Sequence, residues 1–215
     1  KNKIFSINYG ITKNIVDAAK NKKASRIIFL SSAVADMKEN GEYGKSKLLA
    51  EEYIKESGLK FIIFRPSIIY GNGEKKFIGK LVNLIKNNKI VPVIGNGDYK
   101  INPVFIEDVI YAIKKSIIIK KTNKTYYLAG AEEISMNGLC HIIACSLKKK
   151  IFILHIPIGI LKILSFFIRK FKEDFPSSEQ LTRITNHQKY DVDKTKKDLG
   201  INPIKFEEGI KICYE

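Results

Sequence analysis

The sequence predicts an α/β fold in which parallel strands alternate with helices, followed by a smaller and mostly helical lobe. Three observations carry this. Two apolar runs of strand length, Arg26–Leu30 and Phe61–Phe64, flank a segment whose apolar residues recur at helical spacing. The connections between them are short, and a β-α-β order with short loops implies parallel strands joined by a right-handed crossover. Beyond residue 75, helical segments outnumber strands.

The elements follow in order. Residues 1–9 lead through Gly10 into a helix. RIIFL is rich in β-branched and aromatic residues, as strands buried on both faces are. From Tyr43 to Ser57 the apolar residues Leu48, Leu49, Tyr53 and Ile54 mark one side of a helix, and Gly58 stands where a helix stop is expected. Phe61–Phe64 is the second strand, ended by Pro66. Next come a helix over Lys76–Asn87, a strand over Val91–Ile94 and a helix over Glu107–Ile118, with Pro103–Ile106 as its lead-in. A strand over Thr125–Leu128 precedes a helix over Met136–Leu147. Helices over Ile158–Phe171, Ser178–Thr185 and Asp191–Leu199 complete the chain, the last stopped by Gly200.

Composition narrows the function. The net charge is +16, but the lysines are spread through every helix and Lys, Ile and Asn are all abundant. No basic groove with interleaved aromatic residues or zinc module is visible, so the charge reads as compositional and not as specific nucleic-acid binding. Ile151–Phe171 is the most apolar stretch. His155, Pro157, Lys162 and Arg169 interrupt it, leaving no run of the roughly 20 residues needed to span a bilayer. It reads as a packing helix in preference to one lying on a membrane. Cys140, Cys145 and Cys213 have no metal or redox spacing. Their odd number fits reduced, buried thiols and a cytoplasmic setting. His141, next to Cys140 on the same helix, points to a different face. The glycines of GNGEKK and GNGD read as turns.

The chemistry sits between the two strands. Ligands of open parallel sheets bind at the carboxyl ends of the strands. Ser31, Ser32 and the loop RPSIIYG fall there. Tyr43 and Lys47, four apart on a helix, share a face. An ammonium one turn away favours phenolate and draws a tyrosine pKa of about 10 toward neutral pH, where it can exchange protons with substrate. A serine hydroxyl can bond the same substrate oxygen, and the lysine can hold a ribose hydroxyl. The spacing alone says little, because it recurs at Tyr9/Lys13, Tyr111/Lys115 and Tyr190/Lys194. Only Tyr43/Lys47 lies between a strand ending Ser-Ser and a strand ending R-P-x-x-x-Y-G.

In that setting the chain resembles the extended and atypical short-chain dehydrogenase/reductase superfamily, in its NAD-dependent epimerase/dehydratase branch. NYGITKN, YGKSKLLAEEYI and RPSIIYGNGEKK…GNGDYKINPVFIEDV carry the resemblance, which covers nearly the whole chain. It implies a Rossmann-type doubly wound sheet, here its C-terminal part, plus the small lobe. Residues 1–75 would be a partial NAD(P)-binding domain, and 76–215 a substrate lobe with strands returning to the sheet.

The resemblance also implies a catalytic set of Ser32, Tyr43 and Lys47. NAD or NADP would lie against Ser31, Tyr43, Lys47, Pro66, Ser67 and Ile68, with Asn8 near it. The expected activity is oxidation and reduction at a carbinol carbon, as in an epimerase or dehydratase, on a small molecule such as a nucleotide sugar. A homodimer through the helix of Tyr43 is implied too. The alternative is a non-catalytic NAD(P)-binding assembly subunit of the kind found in complex I.

Three departures shape these expectations. The spacer from Ser32 to Tyr43 is shorter than in sugar-nucleotide epimerases. Ile68 stands where those enzymes carry an Asn that helps hold the diphosphate. The glycine-rich phosphate turn that opens a dinucleotide fold is missing, so the chain reads as a fragment that binds cofactor poorly and is inactive alone.

Overall fold

The computed structural model describes residues 2–38, 40–161 and 189–214. The chain divides into two compact units. One comprises 1–69, 106–129 and 190–203, and the other 70–105, 130–189 and 204–215.

The first unit is built on a three-stranded parallel sheet of order β1-β2-β7, with β1 Ile27–Leu30, β2 Phe61–Pro66 and β7 Lys124–Leu128. Ile27 to Leu30 pair with Phe61 to Phe64, and Ile62 to Pro66 pair with Lys124 to Leu128. Helix α1 (Asn2–Phe5), a π-helical turn (Ser6–Gly10) and α2 (Ile11–Asn21) lead into β1. A 3₁₀ turn (Ala33–Asp36) and α3 (Gly41–Glu56) form the crossover to β2. This is the β-α-β unit expected from the apolar runs. Gly58, just past the end of α3, has φ of 79°, a left-handed conformation natural to glycine.

Val16 of α2, Ile54 of α3 and Ile63 of β2 are fully buried against one another, with Ile27, Phe29 and Phe61 packed around them. Burying a side chain of this kind contributes about 1.5–3 kcal/mol. The buried positions of α3 are Gly44, Ser46, Ala50, Glu51 and Ile54, whereas Leu49 is 41% exposed. The apolar stripe through Leu48 and Leu49 therefore misjudged the inward face, because a carboxylate lies inside. Helix α5 (Ile106–Ile118) belongs to the same unit, tied to it where Arg26 donates to the carbonyls of Ser116 and Ile119. So does α7 (Asp193–Leu199), whose Thr195 hydroxyl donates to the carbonyl of Tyr127. Gly200 closes α7 in the left-handed region, as the sequence indicated.

The second unit holds Tyr70, the last residue of β3 (Ile69–Tyr70), with α4 (Ile78–Asn87), β4 (Ile90–Ile94), β5 (Lys100–Ile101) and β6 (Val104–Phe105). It continues with β8 (Ile134–Ser135), α6 (Met136–Ser146), β9 (Phe152–Ile156) and α8 (Phe206–Tyr214). Strands β4 and β9 form a parallel ribbon, and β5 and β8 an antiparallel one. Tyr70 packs against Phe105 and Phe206, with ring centroids 5.4 and 4.9 Å apart. Ser135 caps α6 by accepting from the Gly138 amide.

Two sequence expectations need correction. The apolar stretch from Ile151 opens as strand β9 and not as part of a helix, because β4 offers it a partner along its whole length. Of the thiols expected to be buried, only Cys140 is; Cys145 is exposed and Cys213 half-buried. Burial pushes the Cys140 thiol up to about 11, so it is unreactive at neutral pH. The expected helix over Ser178–Thr185 and the rest of that over Ile158–Phe171 lie outside the described residues.

Candidate functional site

The carboxyl ends of β1 and β2 and the start of α3 meet within the first unit. The β1 strand ends at Leu30, and the Ser31 amide continues the ladder by donating to the Phe64 carbonyl at 2.7 Å. Ser32 then turns the chain. Its hydroxyl caps the 3₁₀ turn by accepting from the Val34 amide at 3.3 Å. That turn is the regular element described between Ser32 and α3, which begins at Gly41 and carries Tyr43.

Glycine at position 44 makes this return possible. A β-carbon there would lie 2.5 Å from Asn40 Cβ and 2.7 Å from the Val34 carbonyl oxygen. Tyr43 is thereby fixed beside the turn that Ser32 opens. Tyr43 is 44% exposed and its carbonyl accepts from the Ser46 hydroxyl at 2.8 Å. Ser46 in turn accepts from the Asn8 side chain at 3.0 Å, which ties the π-helical turn to α3.

Lys47 reaches across to the sheet. Its ammonium donates to the Leu30 carbonyl at 3.1 Å and lies 5.0 Å from the Phe29 ring centroid. Burial lowers its pKa, and the Glu51 carboxylate opposes that shift without cancelling it. Pro66 is buried at the end of β2. Ser67 and Ile68 are half-buried beyond it, where the Ser67 amide donates to the Leu128 carbonyl at 2.8 Å.

Behind these residues lies a polar network that the sequence did not disclose. Glu51 is fully buried and accepts from the Ser31 hydroxyl at 2.6 Å. Arg65 grips the same carboxylate through Nε at 3.0 and 3.2 Å and through Nη2 at 2.8 Å. The other arm of Arg65 donates to the Tyr127 hydroxyl at 3.0 Å and pairs with Asp36 at 2.9 Å. Tyr127 donates to Asp36 as well, closing a ring of three groups, and Tyr190 stacks on Tyr127 at 5.7 Å. Burial works against the charge of Arg65, but Glu51 more than reverses this, so the guanidinium titrates above even its usual range. Burial and Asp36 together push the Tyr127 phenol up. The Ser31 hydroxyl thus faces inward to Glu51, while the Ser32 hydroxyl caps the turn beside it.

This donor set suits one end of a dinucleotide. An ammonium, a phenol and a hydroxyl at two strand ends can meet a ribose and a nicotinamide ring. No glycine-rich strand-turn-helix cradle for a pyrophosphate occurs among the described residues. A cleft of about 480 Å³ lined by Glu107, Asp108, Tyr111, Lys114, Gly200 and Asn202 shares none of these side chains.

A parallel sheet of this order, with a crossover helix between β1 and β2, defines a Rossmann-type α/β fold. Residues 1–129 match the NAD dependent epimerase/dehydratase family, and the chain belongs to it. It is 26% identical to a UDP-glucose 4-epimerase of Vibrio cholerae over 230 residues, spanning 95% of this chain and 67% of that protein. It is also 26% identical to an N-acetyl-α-D-glucosaminyl-diphospho-ditrans,octacis-undecaprenol 4-epimerase of Escherichia coli O157:H7. That match spans 71% of this chain and 52% of the relative, so the chain covers about half of that protein's length. The fold is shared with the UDP-glucose 4-epimerase of Thermotoga maritima, solved with UDP-glucose. The TM-score is 0.76 at 19% identity, covering 98% of this chain and 69% of that one.

Proposed function

We propose that the protein is an NAD(P)-dependent epimerase or dehydratase acting on a carbinol carbon of a sugar joined to a diphosphate, with Ser32, Tyr43 and Lys47 as its catalytic set. The observation that carries this is the pinning of Tyr43 beside the Ser32 turn by the close approach of Gly44 to Val34. An exposed phenol there, one turn from a partly buried ammonium, supports proton exchange with a ligand at the strand ends as its role. The identity to two sugar 4-epimerases supports the substrate class.

Tyr43 as phenolate accepts the proton of the substrate hydroxyl at its phenolic oxygen and later returns it. Lys47 stabilises that phenolate and bonds a ribose hydroxyl. Ser32 donates to the substrate oxygen and orients it. Pro66, Ser67 and Ile68 form the wall for the nicotinamide, and Asn8 supports α3 through Ser46. The nicotinamide, when bound, supplies the acceptor for the hydride leaving the carbinol carbon.

The test is turnover of UDP-glucose to UDP-galactose by the full-length protein with NAD, compared with its Tyr43→Phe variant. The variant should lose at least about 100-fold in kcat while NAD affinity stays within a few-fold, the pattern of a group that acts only in the transition state. Equal turnover by the Phe variant would sink the role of Tyr43.

A second reading is a nucleotide-holding assembly subunit with no turnover. The short spacer and Ile68 favour it, since both remove features that sugar-nucleotide epimerases use to hold substrate. Under this reading bound nucleotide would remain oxidised or reduced as loaded, whatever sugar nucleotide is added.

A further inference from the structure

The β4–β9 ribbon of the second unit carries an apolar face toward solvent. In a strand, alternate residues share a face. The register pairs Ile90 with Phe152 and Pro92 with Leu154, so these four stand together. Val91 and Val93, on the opposite face, are buried. Ile90 is 56% exposed, Phe152 65% and Leu154 47%. Large side chains so uncovered and so adjacent mark an interaction surface more often than a single exposed leucine does.

Charge says what that surface meets. Lys89 directly precedes Ile90, and its carbonyl accepts from the Phe152 amide at 2.7 Å. Lys148, Lys149 and Lys150 lead into β9 and are all exposed. Lysines therefore ring the strand ends where Ile90 and Phe152 begin. Residues 75–97, which span α4 and β4, contain no Asp or Glu, and neither do residues 134–161, which span β8, α6 and β9. In a chain with 22 acidic residues, neither of these two stretches carries one. An apolar face flanked by exposed lysines complements an anionic lipid surface, where aliphatic and aromatic side chains enter the interface and ammonium groups meet phosphates. A protein partner burying the same apolar face would not require the acid-free flank.

We propose that this face docks the protein on anionic phospholipid, peripherally and reversibly. Among the described residues no helix is long and apolar enough to cross a bilayer, so the ribbon face would lie on the surface. The lysines draw the unit to the leaflet, and Phe152, Leu154 and Ile90 hold it there.

Co-sedimentation of the full-length protein with vesicles tests this. Vesicles of phosphatidylcholine alone are compared with vesicles containing about one third phosphatidylglycerol, at low and high salt. Binding should appear only on the anionic vesicles and weaken with salt. The Phe152→Ser/Leu154→Ser variant should lose about tenfold or more in affinity, since two large side chains would no longer leave water. The Lys148→Gln/Lys149→Gln/Lys150→Gln variant should lose roughly fivefold for each lysine near the leaflet. Circular dichroism of both variants checks that they fold. All of these positions are exposed. Binding unchanged in the serine variant would show that charge alone is responsible and would overturn the docking face. Equal binding to neutral and anionic vesicles, or none to either, would overturn the proposal. So would a dimer that the serine variant splits in the absence of lipid binding, because the face would then belong to a second copy.

Discussion

Arg65→Met should be among the most damaging single changes in the first unit. The Glu51 carboxylate is fully buried, and Arg65 supplies three of its contacts, at 2.8 to 3.2 Å. Without them the charge keeps the Ser31 hydroxyl at 2.6 Å and a Lys55 ammonium only at 3.5 Å. Stranding a buried charge in this way costs about 3–5 kcal/mol. Glu51→Gln should cost less, about 1–3 kcal/mol. The amide oxygen can still accept from Ser31, and Arg65 retains Asp36 at 2.9 Å and Tyr127 at 3.0 Å. Combining the two changes removes both charges, so the double variant should be more stable than Arg65→Met alone by about 2 kcal/mol. Urea unfolding followed by far-UV circular dichroism measures all three. With a slope of about 2 kcal/mol per molar, Arg65→Met should lower the midpoint by about 1.5–2.5 M. Costs that simply add in the double variant would mean that the pair is not coupled, and the reasoning would fail.

Other consequences can be measured on the same protein. Gly44→Ala forces a β-carbon against Asn40 and the Val34 backbone, so it should destabilise by about 1–3 kcal/mol. It should also lower kcat in molecules that remain folded, because Tyr43 shifts; a variant with native melting temperature and native kcat would contradict the close-approach argument. Lys47 should titrate below the ordinary lysine value of about 10.5, since burial disfavours its charge. Over the interval between its folded pKa and that ordinary value the unfolded chain binds more protons, so its contribution to stability rises with pH there. Isotope-resolved NMR of the Lys47 side chain reads this directly, and a value at or above 10.5 would contradict it.

Much of the first unit was legible in the sequence because its signals are local. Two apolar runs bounded by short loops, with a glycine at the helix stop, determine a parallel β-α-β crossover wherever it occurs. Tyr43 and Lys47 could be singled out because the strands on either side are recognisable. Glu51 could not. It sits in a lysine-rich helix next to Glu52 and reads as one more solvated charge, while the group that draws it inward lies 14 residues later on a neighbouring strand. The available signal was the reverse one: a lone Arg65 in an apolar strand needs a buried anion. Tyr127 joins the network only because β7 lies beside β2, and strand order is not a local property. Strand β9 was missed for a related reason. A short apolar run looks the same as strand or helix, and only a partner such as β4 decides between them.

The chain passes from one unit to the other five times, so neither unit is a continuous stretch of sequence. No single cut in the gene yields either unit whole, and no single fusion exchanges one for another. The first unit cannot finish folding until residues 190–203 have been synthesised, although β1 and β2 are complete long before. Much of its final packing must therefore wait on residues far apart along the chain, which slows folding relative to a helical bundle of similar size. Inheritance is constrained in the same way. A new specificity cannot arrive by shuffling a ready-made module into this architecture; it has to arise by substitution and by lengthening or shortening loops in place. The short link between Ser32 and Tyr43 is a loop of that kind.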